Sequence, residues 1–191
     1  MAKQLYDYWF VQFDFPDEEG KPYKSSGGKM VWNETFKREI PEKWSVVQLS
    51  KIVKQEKSGD WGNDTAEKGY NHKVSCIRGA DFKDTNNIPV RYIQEKNSIK
   101  ELSPYDIVVE ISGGSPTQAT GRCLYITKEL VDHYDGHIIC SNFCQPLTCK
   151  TEADALYMYY TWCLIYNNNN MFHYEGKTSG IKNFQMDSFL S

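Results

Sequence analysis

An α+β fold is what the sequence predicts: a mainly antiparallel or mixed sheet with interspersed helices, forming one domain with an N-terminal helical tail. Three observations predict it. Asp106-Ile-Val-Val-Glu-Ile111 and Cys123-Leu-Tyr-Ile-Thr127 are apolar runs of strand length on either side of a polar glycine loop, Ser112 to Arg122. Thr151-Glu-Ala-Asp154 opens a helix in capping-box style, with an apolar body from Ala155 to Tyr166 that reads as buried on nearly every face. Elsewhere, short extended runs alternate with turn signals and helical stretches, which reads as a mainly antiparallel sheet with helices interspersed.

In chain order, Leu5-Tyr-Asp-Tyr-Trp-Phe-Val-Gln-Phe13 is apolar almost all round and runs into Asp14-Phe-Pro16, so residues 1–16 read as the tail of a helix that stops before proline, or an extended plug. Residues 17–43 read as a turn-rich linker in which Lys24 and Lys29 flank Ser25 to Gly28, without the spacing of a nucleotide-binding loop. The domain then occupies residues 44–191. Ser45 to Leu49 reads as a strand and Ser50 to Lys57 as a short helix carrying Lys51, Lys54 and Lys57 along one flank. Trp61 sits in a glycine-bounded loop, where it either pins the loop or stacks on a base, pinning being the commoner fate.

Lys73 to Arg78 is a strand that delivers the turn Arg78-Gly-Ala-Asp81; its arginine suits a guanine edge or a phosphate, and equally a tie to Asp81. Ile88 to Ile93 reads as extended, Gln94 to Leu102 as a helix, and Ser103-Pro-Tyr-Asp106 as the turn into the first apolar run. Leu130 to Gly136 reads as a connection, Ile138 to Cys149 as one extended segment, and Gly176 to Asn183 as a second glycine loop with two lysines. In the first glycine loop, Gly113, Gly114 and Gly121 permit positive φ and close backbone approach, and its hydroxyls and amide offer donors and acceptors. That suits a polar polymer or a phosphate; the alternative is a hairpin connection whose glycines only solve turn geometry.

A net charge of −3 over 191 residues argues against indiscriminate coating of nucleic acid, although it permits a local basic face. No run approaches the ~18 apolar residues of a membrane span, and the N-terminus lacks the apolar core of a signal peptide, so a cytoplasmic protein with no membrane partner is expected. The six cysteines form no Cys-x-x-Cys pair and read as reduced core thiols; His133, His137, Cys140 and Cys144 are the alternative, a zinc set, against which the extended reading of 138–149 weighs. Neither a methyltransferase's Asp/Asn/Ser-Pro-Pro-aromatic motif nor Gly-x-Ser-x-Gly is present. No catalytic residue and no metal ligand is therefore assigned.

Leu5 to Pro16, Pro22-Tyr-Lys-Ser-Ser-Gly-Gly-Lys-Met30, Arg38-Glu-Ile-Pro-Glu-Lys-Trp44, Ile77-Arg-Gly-Ala-Asp81, Ser112-Gly-Gly-Ser-Pro116 with Thr120-Gly-Arg122, and Ser179-Gly-Ile-Lys-Asn183 together resemble the specificity subunit of type I restriction-modification systems. The resemblance covers nearly the whole chain. It implies a target-recognition domain that reads one half of a split DNA sequence. In that family two such domains are separated by long helices, and the subunit docks methyltransferase subunits that bind S-adenosylmethionine and flip out an adenine. A motor-nuclease (restriction) subunit completes the complex. This chain shows one such domain and only the tail of a spacer helix, so a half-site reader is expected, as a piece of a longer subunit or a half-subunit. No cofactor is expected on the chain itself.

On this reading the partner is double-stranded DNA. Phosphate contacts fall to Lys24, Lys83, Lys177 and Lys182, which position without reading sequence. Base discrimination falls to Arg78, Ser115, Gln118, Thr120 and Arg122. The alternatives are a protein-interaction module without DNA contact and a small enzyme holding a phosphate ligand.

Overall fold

The computed structural model describes residues 2–178 and 181–191; Ser179 and Gly180 of the second glycine loop lie outside the described residues, as do the side chains of Ala2, Lys177 and Thr178. The chain divides into two units, Met1–Val47 and Gln48–Ser191.

In the first unit, α1 (Ala2–Tyr6) passes into a π-helical turn over Asp7–Val11, and the helical tail ends where Phe13 takes a positive φ of 66°. A bulky residue adopts that conformation only when its surroundings impose it. Phe13 is buried, with Trp44 edge-on at 5.5 Å and the Arg38 guanidinium 4.6 Å above its ring. The segment read as a linker contains a hairpin, β1 (Met30–Asn33) against β2 (Arg38–Pro41), with Val31 opposite Ile40.

The second unit begins with a 3-10 turn, Leu49–Lys51, and a two-residue strand, β3 (Val53–Lys54). The expected strand over 45–49 and helix over 50–57 are absent. Lys57 instead turns inward, its Nζ 2.7 Å from the fully buried Asp106 carboxylate. After them come β4 (His72–Ile77), a 3-10 turn Gly79–Lys83, β5 (Val90–Ile93), a 3-10 helix Glu95–Lys100 where a helix was expected, and β6 (Asp106–Glu110). Next are β7 (Ser112–Gly113), β8 (Cys123–Tyr125) and α2 (Lys128–His133), which Thr127 caps by accepting from Leu130 N at 3.1 Å; a plain connection was expected there. The segment 138–149 is two strands, β9 (Ile138–Cys140) and β10 (Cys144–Cys149). Last come α3 (Glu152–Asn167), capped by Thr151 as expected, then β11 (Glu175–Thr178), β12 (Ile181–Phe184) and α4 (Met186–Leu190).

Sheet order is β3-β10-β6-β8 in the largest sheet, β5-β4-β9 in a second and β11-β12-β7 in a third. Among the described residues β4 and β9 are the parallel pair and the other strand pairs are antiparallel, which is the α+β class predicted.

β6 is buried on both faces, and alternation explains how. Ile107 and Val109 point into one cluster with Leu147, Met158 and Trp162; Val108 points into another with Ile77, Ile126 and Ile138. Burying each such side chain contributes roughly 1.5–3 kcal/mol. α3 differs from expectation, because it buries one stripe, Ala155, Met158 and Trp162, while Tyr157 and Tyr160 reach solvent. Trp61 is pinned at the surface, beneath the Arg91 guanidinium at 4.6 Å and edge-on to Phe143.

All six cysteines are free thiols. Cys140 and Cys144 are buried in the core, and burial pushes the Cys144 thiol up to about 12. Among the described residues the ligand atoms of His133, His137, Cys140 and Cys144 are not gathered into a metal-binding group, so that zinc set is not assembled. No helix among the described residues is long and apolar enough to cross a membrane.

Candidate functional site

The loop from Ser112 to Arg122 leaves the largest sheet at the end of β6 and returns into β8. Its tip is a tight turn in which Ser115 N donates to Gln118 O at 2.8 Å, and the Ser115 hydroxyl accepts from Gln118 N at 3.1 Å. Gly114 allows this closure with a φ of +75°, since a Cβ there would stand 2.8 Å from the Gln118 carbonyl. At the return, Gly121 N donates to Glu110 O at 2.9 Å. Gly121 has a φ of +83°, and a Cβ on it would meet the Phe184 ring at 2.8 Å, so both the turn and the close packing require glycine.

The base of the loop is held from below by α3. Trp162 Nε1 donates to Gly121 O at 2.7 Å, and the Tyr166 hydroxyl donates to Ala119 O at 3.0 Å. From the side it is held by the third sheet: Thr120 N donates to Glu175 Oε1 at 2.6 Å, and Lys182 Nζ lies 2.9 Å from Glu175 Oε2. The Glu175 carboxylate is thereby mostly shielded from solvent and paired. Burial alone would raise its pKa, but the hydrogen bonds from Lys182 and Thr120 outweigh it and hold the carboxyl below the ordinary glutamate value.

A depressed folded-state pKa gives stability that is fully present above the unfolded value, ~4.3, and lost as pH falls through the folded one. Glu175→Gln is therefore expected to be about 1.5–3 kcal/mol less stable than the parent chain at pH 7, the range for hydrogen bonds to a charged group. Urea unfolding should show the gap narrowing as the pH is lowered past 4. A gap that is constant from pH 7 to 3 would mean that Glu175 does not carry this tie.

Glu110 ends β6 and is nearly fully buried, and a buried carboxylate needs a partner. Arg122 supplies it in fork-to-fork geometry, Nε to Oε2 at 2.9 Å and Nη2 to Oε1 at 2.6 Å. These hydrogen bonds hold the Arg122 pKa above its ordinary value. The turn after β4 packs on this pair, since a Cβ on Gly79 would come 2.4 Å from Glu110 Oε1. Turned with its oxygen toward the guanidinium, the Gln118 amide accepts from Arg122 Nε at 2.8 Å. Beside this array a cleft of about 380 Å³ is lined by Lys83, Gln118, Arg122, Tyr166, Asn169 and Phe172, among others.

Lys83, Gln118 and Arg122, far apart in sequence, are thus brought to one cleft. Ser115 lies at the loop tip, its hydroxyl spent on the turn. Arg78 takes the structural alternative, since its Nε and Nη2 bind the Asp81 carboxylate at 2.9 and 2.8 Å. Two assignments are corrected. Thr120 is fully buried and bound to Glu175, so it cannot face a base. Lys182 is mostly buried, paired with Glu175 and 4.9 Å from the Phe172 ring, so it is not a free phosphate contact. Of Lys177 the strand position is described and the side chain is not. Lys24 lies exposed in the first unit.

The acidic partners Glu110 and Glu175 escaped the sequence reading, as did Tyr166, Asn169 and Phe172, whereas the tie of Arg78 to Asp81 is the alternative it named. Glu110 carried a usable signal: a lone carboxylate closing an apolar strand must be paired. The fold and the site define an α+β protein whose glycine loop overhangs a polar, aromatic-walled cleft. No protein-family model matches the sequence, and no curated protein matches it.

Proposed function

We propose that the chain reads one half of a split sequence in duplex DNA as the target-recognition part of a type I restriction-modification specificity subunit. Partner methyltransferase subunits, carrying S-adenosylmethionine, would methylate an adenine, and a restriction subunit would cut. The observation that carries the reading is the convergence of Lys83, Gln118 and Arg122 on one cleft beneath the loop whose residues bear the resemblance. With its oxygen committed to Arg122, the Gln118 amide keeps its NH₂ to donate toward an acceptor on a base edge, such as a purine N7. Lys83 is exposed at the rim, where a phosphate passes.

In an enzyme reconstituted with its methyltransferase partner, Gln118→Ala is expected to relax the recognised sequence at one position. The loss of discrimination should be roughly 5- to 150-fold, the equivalent of ~1–3 kcal/mol per base contact. Sequencing of methylated sites reads this directly, and an unchanged recognition sequence would defeat the assignment of Gln118.

A second reading, a protein-interaction module without DNA contact, is favoured by one observation: Arg78, Arg122 and Lys182 are each neutralised by a carboxylate. The salt dependence of retention on DNA separates the two. A phosphate-binding surface loses affinity steeply with added salt, whereas the interaction module has no DNA affinity to lose.

A further inference from the structure

At one end of the second sheet, where β4 begins and β5 ends, two histidines and two glutamates converge. Backbone pairing brings them together. His72 opens β4 opposite Ile93 of β5, which sets Glu95 two residues beyond the pairing. The parallel pairing of β4 with β9 has Ser75 N donating to His137 O at 2.8 Å, and Leu102 N donates to Ile138 O at 2.7 Å, so His137 and Glu101 lie side by side. One carboxylate oxygen, Glu101 Oε1, is 2.6 Å from His72 Nε2 and 3.0 Å from His137 Nδ1. The other nitrogen of His72, Nδ1, is 3.2 Å from Glu95 Oε2.

Both nitrogens of His72 therefore face carboxylates. A neutral imidazole carries one proton, so a ring that faces two carboxylates needs either a second proton or a cation in place of one. A metal ion resolves this: Nε2 takes the metal and Nδ1–H donates to Glu95, the arrangement by which a carboxylate orients and strengthens a ligating histidine. The ligand atoms of His72, Glu101 and His137 all lie within 4.8 Å of one another. Tetrahedral zinc with bonds of about 2.0–2.1 Å spaces its ligand atoms about 3.3–3.4 Å apart, within reach of small side-chain rotations.

We propose that His72, Glu101 and His137 form a binding site for a divalent ion of the zinc class, oriented by Glu95 and with a fourth position open to water. Two imidazoles and one carboxylate are the donor set that such an ion prefers over magnesium or calcium. The site is separate from the cleft and independent of the DNA reading. It clamps β4, β9 and the 3-10 helix Glu95–Lys100 together, and of the zinc set suggested by sequence it retains His137 alone.

The test uses the whole chain, untagged and stripped of metal, titrated with Zn²⁺ by calorimetry and with Co²⁺ by visible absorption. The expected results are saturable uptake of one ion per chain, the intense visible bands of four-coordinate Co²⁺, and a raised melting temperature. His137→Ala removes a half-exposed ring, so its fold should persist by circular dichroism while affinity falls at least 100-fold. Glu101→Gln should behave alike, and Glu95→Gln should weaken binding 10- to 100-fold. Absence of saturable uptake by the parent chain overturns the proposal. So does uptake equally tight in His137→Ala and Glu101→Gln, or a cluster stabilised by acidification and indifferent to metal.

Discussion

Trp162→Ala is expected to destabilise the unit Gln48–Ser191 by about 3–5 kcal/mol, the range for deleting a buried large aromatic. The side chain is 1% exposed, its ring lies 4.4 Å from that of Phe189 and 5.7 Å from that of Phe184, and its Nε1 donates to Gly121 O. Truncation removes packing between α3, β12 and α4 and leaves the carbonyl at the base of the glycine loop without its donor. Trp162→Phe separates these losses, because it keeps most of the apolar contact and forfeits the hydrogen bond, at about 1–3 kcal/mol. Guanidinium unfolding of both variants measures the two costs. In Trp162→Phe, hydrogen exchange should quicken locally, around residues 119–122. A cost below ~1 kcal/mol for the alanine variant would mean that the helix does not anchor the loop.

Breaking the Glu110–Arg122 pair from one side should have an effect of similar size. Glu110→Ala leaves a guanidinium, 20% exposed, without its bidentate partner, and removal of one member of a buried pair typically costs ~3–5 kcal/mol. Replacing both members, Glu110→Leu with Arg122→Met, should recover most of that loss, because two desolvation penalties disappear along with the attraction between the charges. A double-mutant cycle in urea gives the coupling, and near-additivity would show that Arg122 swings to solvent when freed. The double variant also divides the roles of Arg122. If it folds and still directs methylation to the parent sequence, Arg122 is a structural tie only. If it folds and the recognised sequence broadens, the guanidinium contributes to reading.

Much of the local structure was legible from residues close in the chain. The apolar run of β6, the cap at Thr151, the extended reading of β4 and the turn at Ser103 to Asp106 all follow from periodicity and capping chemistry. Thr127 carried a cap signal as clear as that of Thr151, and α2 was legible there. The segment 45–57 was not. Its lysines recur at three-residue steps, yet Val53 and Lys54 pair with Cys149 and Thr148 of β10, and that pairing overrides a weak helical preference. Ile138 to Cys149 looks continuous because each half is extended. It breaks at a turn in which Cys144 N donates to Ser141 O at 2.9 Å, and the two halves join different sheets.

By itself the sequence determined the α+β class, the glycine-hinged loop and the absence of a recognisable catalytic motif, because capping, turn chemistry and alternation act between near neighbours in the chain. Only the tertiary structure decided which polar side chains are free. Arg122 meets Glu110 across 12 positions, Thr120 meets Glu175 across 55, and His72 meets Glu101 across 29. Such pairings depend on the path of the backbone, and a charge removed from water takes whatever counter-charge that path brings within reach.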